Sequence, residues 1–281
     1  VSAYAHVCCA VDGAPARADA LRLARAVAGE GARLSVVHVT DPRPVMGPET
    51  PTGPDGAGGV EGARAWLEGE AAGVGGDPVL LVDEDPAASL AGWAATEGVD
   101  LIVAAAHHDR LERAFVGSFT RDVAHAAPCA VLVARPGVPA PQGPPDLVVA
   151  CVDEASGARV VDECRALAGR RLALLHVAGA DGLAGLLPGS RSGAEAEVPA
   201  WLAGMRDAVG AAEAHVIHGR GAGAAEEWAA ERGAQVVAAA ARVDPGPVAL
   251  LGSFTTHLVH HARAHVLVAR PPASPGAAAP A

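Results

Sequence analysis

Lysine is absent from the chain: all 21 basic residues are arginine. A phosphate-loop lysine, a Schiff-base lysine and a lysine general base are therefore excluded. Aromatic residues make up only 3% of the sequence against 51% hydrophobic residues overall. Its cores must be built from Ala, Val and Leu, which suits helices lying close against a sheet. Cysteine is sparse and odd in number, with five residues and no C-x-x-C pair. Cys8, Cys9, Cys129, Cys151 and Cys164 read as buried free thiols of a reducing compartment rather than as a disulfide framework. No apolar run reaches membrane-spanning length, and no basic flank precedes a long apolar segment near the start. The formal net charge is −11 and no basic face is visible, so neither a membrane nor a nucleic acid is expected as partner. A cytoplasmic protein is expected.

What the chain does contain is a repeat. Val116–Gly117–Ser118–Phe119–Thr120 returns as Leu251–Gly252–Ser253–Phe254–Thr255. Val131–Leu132–Val133–Ala134–Arg135–Pro136 returns as Val266–Leu267–Val268–Ala269–Arg270–Pro271. Both pairs, and Trp66 and Trp93 with Trp201 and Trp228, stand 135 residues apart. Two copies of one unit are expected: a first domain at 1–137, a Pro/Gly-rich linker at 138–145, a second domain at 146–271 and a disordered Pro/Ala/Gly tail at 272–281.

Within the first unit, short apolar runs at Val7–Val11, Leu34–Val39, Pro78–Val82, Leu101–Ala105 and Ala130–Ala134 read as strands. Helical patterns alternate with them: one opened by Pro15 and stopped at Gly29 and Gly31, one over Val60–Ala72, one started by Asp85–Pro86, and one over Gly117–His125. Strands alternating with helices predict an α/β fold, an open five-stranded parallel sheet with helices on both faces in each of two tandem Rossmann-like domains. Ligands of such sheets sit at the carboxyl ends of the strands where strand order reverses, so the loops after strands one and four matter most.

Taken in order, Val11–Asp12–Gly13, His38–Val39, Asp85–Pro86, Leu101–Ala105, Gly117–Ser118 and the run His125–Ala126–Ala127–Pro128–Cys129 leading into Val131–Leu132–Val133–Ala134–Arg135 resemble the universal stress protein family. The resemblance implies its adenine nucleotide alpha hydrolase-like fold. Nucleotide-binding members carry G-x2-G-x9-G-[ST] after strand four, where glycines let backbone amides crowd a phosphate and the last Gly–Ser opens a helix. Here those positions fall on Ala104, His107 and Gly117, and in the second unit on Ala239, Arg242 and Gly252. Only the final Gly–Ser survives in each. A side chain at His107 stands where backbone would meet phosphate, whereas the Arg242 guanidinium could replace lost donors.

The resemblance makes Asp12, Gly13, Val39, Ala104, His107, Gly117, Ser118 and Phe119 the candidate ligand residues of the first domain. Asp153, Arg242, Gly252 and Ser253 are the weaker set in the second. Asp12 and Asp153 would lie near adenine and ribose, and equally suit a turn; Val39 would offer a backbone contact or simply end a strand. The reading favoured is a non-enzymatic stress-response or regulatory protein whose ATP-binding motif is largely lost. No cofactor is assigned; ATP or another adenine nucleotide is the candidate, with slow hydrolysis through the first domain as one alternative and a protein-interaction scaffold as another. No catalytic constellation is visible. The histidines His257, His260, His261 and His265 have helical spacing in part, but His265 should begin a strand, so no metal is assigned. The fifth strands, Ala130–Ala134 and Val266–Ala269, are expected to pair within the chain as a pseudo-dimer that hides both edges, the alternative being exchange between two chains in a homodimer.

Overall fold

The first strand, β1 (His6–Ala10), is buried at every position and lies between β2 (Arg33–Thr40) and β4 (Leu101–Ala105), parallel to both. The computed structural model describes residues 4–41, 59–106, 118–167, 170–178, 195–241 and 251–270. Beyond β2 and β4 the half-sheet is completed by β3 (Asp77–Val82) and β5 (Ala130–Ala134), again parallel. The second half repeats this plan. There β6 (Leu147–Cys151) lies between β7 (Arg171–Ala178) and β10 (Val236–Ala240), with β9 (Glu213–His218) beyond β7 and β11 (His265–Ala269) beyond β10. It departs from the five-stranded expectation by a two-residue strand, β8 (Glu195–Ala196), added antiparallel along the outer edge of β9.

The two half-sheets join. Val131, Leu132 and Val133 of β5 pair antiparallel with Val268, Leu267 and Val266 of β11. The result is one 11-stranded sheet in the order β3-β2-β1-β4-β5-β11-β10-β6-β7-β9-β8. Both strands of the seam are buried throughout.

The helices follow their sequence signals. α1 (Arg17–Ala28) starts two residues after Pro15, because Arg17 and Ala18 first close tight turns onto the carbonyls of Ala14 and Pro15. It stops at Gly29, whose φ of 68° is cheap only for glycine. α2 (Gly59–Val74) follows, then α3 (Pro86–Thr96), where Asp85 Oδ1 accepts the Ala88 amide at 3.0 Å and Pro86 sits in the first turn. α4 (Ser118–Ala126) precedes β5. In the second half α5 (Gly157–Ala166), α6 (Ala200–Val209), α7 (Gly221–Glu231) and α8 (Ser253–His261) take the corresponding places.

Each face of the sheet carries one continuous apolar layer. Residues of α1, α2, α5 and α6, such as Leu23, Leu67, Val160 and Leu202, pack on one face with Cys9 and Leu101. Residues of α3, α4, α7 and α8, such as Leu90, Val123, Trp228 and Leu258, pack on the other with Cys8 and Ile102. Neighbouring strand residues point to opposite layers, as the period of two requires. Equivalent helices of the two halves share a face, as a local twofold axis normal to the sheet demands. Among the described residues no helix is long and apolar enough to cross a membrane.

Candidate functional site

Strand order reverses at β1 in the first half and at β6 in the second, since each is flanked by two strands reached through crossovers in opposite directions. The carbonyl of the residue that follows each central strand is held by a histidine of the next strand. His38 Nδ1 lies 2.9 Å from the Val11 carbonyl, and His176 Nδ1 lies 2.9 Å from that of Val152. Each ring nitrogen donates there, which fixes the tautomer. Each imidazole also meets a tryptophan edge-on: Trp66 at 5.3 Å from His38 and Trp201 at 5.2 Å from His176, centre to centre. The H-V pair at the end of the second strand is therefore a fastening of the first strand.

The acidic residues that follow are turn residues. Asp12 Oδ1 accepts the Ala14 amide at 2.9 Å, with Gly13 inside the turn. Asp153 Oδ1 accepts the amides of Ala155 and Ser156 and the Ser156 hydroxyl, at 2.9, 2.6 and 2.9 Å. Both aspartates thus make the bonds of the turn that a strand-end Asp offers.

Around the β6 switch point lies a cleft of about 620 Å³. Asp153, Ala155 and Ser156 at the start of α5 form one wall, and Gly252, Ser253 and Thr255 at the start of α8 form the other. Leu175, Val177 and the chain Ala239–Ala240–Ala241 supply an apolar floor. Two helix N-termini from opposite faces of the sheet thus meet at one opening. The N-cap of α8 is Gly252, in extended backbone (φ −63°, ψ 159°), and among the described residues no side chain caps this end. A helix start of this kind at the wall of a cleft is a setting that favours anions. Thr255 anchors this turn by donating its hydroxyl to the Ala240 carbonyl at 2.7 Å, and Thr120 does the same to Ala105 at 2.8 Å in the first half.

Asp153, Gly252 and Ser253 are thus brought together in the second half, while Arg242 lies outside the described residues. In the first half His107 and Gly117 also lie outside them; Ser118 begins α4. Ala104 is a buried core residue of β4, and Val39 and Phe119 pack against the same apolar layer. Val177, Ser156, Arg159 and Thr255 were not among the sequence candidates. Val177 follows His176 as Val39 follows His38, so the H-V pair at the end of each second strand could have found it, though the 135-residue offset would not; Thr255 belongs to the repeated G-S-F-T. Arg159 has no counterpart, for the equivalent position, the third residue of α1, is Asp19.

Burial pushes the Cys151 thiol up to about 12, so it is no thiolate at neutral pH. The His176 Nδ1 and the Asp153 Oδ1 are committed to the fold. Elsewhere, His257 and His261 stand with ring centres 4.6 Å apart on α8, and His265 opens β11, off that helix. Among the described residues no three His, Cys, Asp or Glu side chains converge as metal ligands.

Comparison with known proteins agrees with this architecture. A crystal structure of a functionally unknown protein from Pseudomonas aeruginosa superposes with a TM-score of 0.69 at 15% identity, covering 96% of this chain and 94% of that one. A universal stress protein from Archaeoglobus fulgidus gives 0.69 at 15% identity over 94% of this chain and 98% of its own. No curated protein sequence matches the chain. The universal stress protein family model matches residues 3–135. The five principal strands are ordered alike in both halves and each second strand carries the same histidine fastening; residues 3–135 match the universal stress protein family, and the chain as a whole has the α/β fold of the Archaeoglobus universal stress protein, built here from two like units in tandem.

Proposed function

We propose that this protein is a non-enzymatic regulatory module of the stress response whose second domain takes up a small phosphorylated ligand, an adenine nucleotide by resemblance. The observation that carries the reading is the uncapped start of α8, Gly252–Ser253, facing Asp153–Ser156 across the cleft at the β6 switch point. The amides suit a phosphate, and the floor of Leu175, Val177 and alanines suits an apolar ring. Absence of enzymatic turnover is supported by a lining whose thiol is held protonated and whose histidine and aspartate are spent on the backbone.

The test is a thermal-shift and calorimetric screen with ATP, ADP, AMP and cyclic AMP, run beside a phosphate-release assay. A rise in Tm with at least one nucleotide, lost when Ser253 is replaced by proline, and no phosphate release above buffer, is the expected result. A shift with no nucleotide favours the scaffold reading, and turnover of ATP overturns the non-enzymatic one.

A further inference from the structure

We infer that Arg159 supplies the positive charge that makes the second-domain cleft selective for a phosphate-bearing ligand. The inference deepens the proposed function and rests on it. Arg159 is the third residue of α5 and lines the cleft beside Ser156 and Asp153. Its Nη1 is buried and has no hydrogen-bond partner among the described residues. Buried donors are almost always satisfied, and a guanidinium nitrogen withdrawn from water without a partner is costly. An anion in the cleft would relieve that deficit.

The usual protein partners are close by in sequence yet not engaged. Asp162 and Glu163 stand three and four residues further along α5, the spacing at which an arginine ordinarily finds a carboxylate on its own helix. Glu163 is instead held by Tyr4 of the first domain, whose hydroxyl donates to Glu163 Oε2 at 3.0 Å. Asp162, Glu163 and Asp100 line a second recess of about 410 Å³ on the other side of Arg159, together with Arg270. Arg270 is itself turned to the carbonyl of Ala124. Arg159 therefore stands between an acidic recess and a cleft in which the start of α8 favours negative charge, while the Asp153 carboxylate already occupies the start of α5. The first domain, with Asp19 at the equivalent position of α1, has no such group there.

The guanidinium also offers a substitute for what the loop after β10 has lost. A glycine-rich loop holds phosphate through backbone amides. A fork of N–H donors beside the α8 amides can hold it with fewer glycines. Ligand choice then follows the charge of the phosphate more than the shape of the base.

The experiment compares the full chain with Arg159→Met and Arg159→Lys, titrating adenosine, AMP, ATP and inorganic pyrophosphate at low ionic strength. Arg159→Met is expected to weaken AMP and ATP about tenfold or more, the worth of a charge-assisted bond, while adenosine changes by less than about twofold. Stabilisation by pyrophosphate should vanish, and Arg159→Lys should recover part of both. The urea midpoint of apo Arg159→Met should equal or exceed that of the unaltered protein, because a buried unsatisfied donor is removed; Arg159→Gln serves if the methionine variant does not fold. Equal affinity of AMP for all three proteins, or an equal loss for adenosine and AMP, overturns the inference. Pyrophosphate binding that depends on Arg159, without any nucleotide binding, upholds it and overturns the adenine reading. Adenosine binding with no gain from phosphate does the reverse, and a protein that binds neither anion nor nucleotide overturns both.

Discussion

Arg135 and Arg270 perform the same task on opposite sides of the β5–β11 seam: each leaves the end of its own fifth strand and grips the last carbonyls of the other domain's final helix. Arg135 donates to the carbonyls of Val259, His260 and Ala262, at 2.8, 3.0 and 3.1 Å, at the C-terminus of α8. Arg270 donates to the Ala124 carbonyl at 2.5 Å, at the C-terminus of α4. A helix C-terminus presents carbonyls without intrahelical partners and a partial negative charge, so a guanidinium there satisfies both. The A-R-P motif after each fifth strand is thus a reciprocal clasp.

Replacing Arg135 with methionine should destabilise the protein by about 3 kcal/mol. It removes three charge-assisted bonds and leaves carbonyls orphaned at a buried seam. Arg270→Met, with its single such bond, should cost about 1–2 kcal/mol. Urea denaturation of both variants checks the order; an Arg135 variant no worse than the Arg270 variant would contradict it.

Because α8 carries the cleft at its N-terminus and the Arg135 clasp at its C-terminus, the two ends should be coupled. The Leu251 amide, just before Gly252, also donates to His125 Nδ1 of the first domain at 3.4 Å. His125→Phe is expected to weaken nucleotide or pyrophosphate binding by a few-fold, with a urea midpoint close to that of the unaltered protein. Calorimetry beside denaturation separates the two effects.

Thr120→Val and Thr255→Val keep the side-chain shape but remove a hydroxyl that satisfies a strand-end carbonyl, at Ala105 and Ala240. Each should cost about 1–2 kcal/mol. Serine at either site should recover much of the hydrogen-bond part. Only the Thr255 variant should also weaken ligand uptake in the second-domain cleft, which a parallel titration reads directly.

His265 is fully buried and burial lowers its pKa from 6.5 to about 4. Its Nδ1 accepts the Arg135 amide at 3.1 Å, which needs the neutral ring. A depressed folded-state value means that the unfolded chain takes up the proton first. Stability is therefore full above pH 6.5 and falls as pH drops toward 4, by about 3 kcal/mol in all. Glu163 acts in the opposite sense, since burial raises its carboxyl. His265→Gln keeps an acceptor without titrating, so its stability profile between those limits should be flatter than that of the unaltered protein.

The cysteines should be inert while the chain is folded. Cys8, Cys9, Cys151 and Cys164 are buried, and desolvation raises every one of their thiols; Cys129, less covered, is still pushed up to about 12. Iodoacetamide at pH 8 should label none of the first four within minutes in native buffer and all five in urea, read by intact mass.

Much of this was legible beforehand because it is local. The Asp85–Pro86 start, the Gly29 stop and the alternating strands and helices depend on residues a few positions apart, and local sterics and hydrogen bonding decide them. The short strand β8 was not legible: two residues carry no periodic pattern, and pairing with β9 defines them. Arg159 was missed for a related reason. It interrupts no motif, and its isolation is visible only once Glu163 is seen bonded to Tyr4 across the domain boundary.

From the residues alone came the duplication, the class and order of the elements, and the surviving Gly–Ser at the head of each final helix, all carried by patterns that neighbouring side chains impose on the backbone. Tertiary structure alone decided that α5 and α8 meet over one cleft, that Arg159 is left without a carboxylate, and that Arg135 and Arg270 clasp each other's helices. The clasps and the Tyr4–Glu163 bond join residues more than a hundred positions apart and depend on two sheet edges meeting antiparallel, which brings the end of one fifth strand to the start of the other. The cleft follows instead from helices of opposite faces starting at the same edge of the second half-sheet.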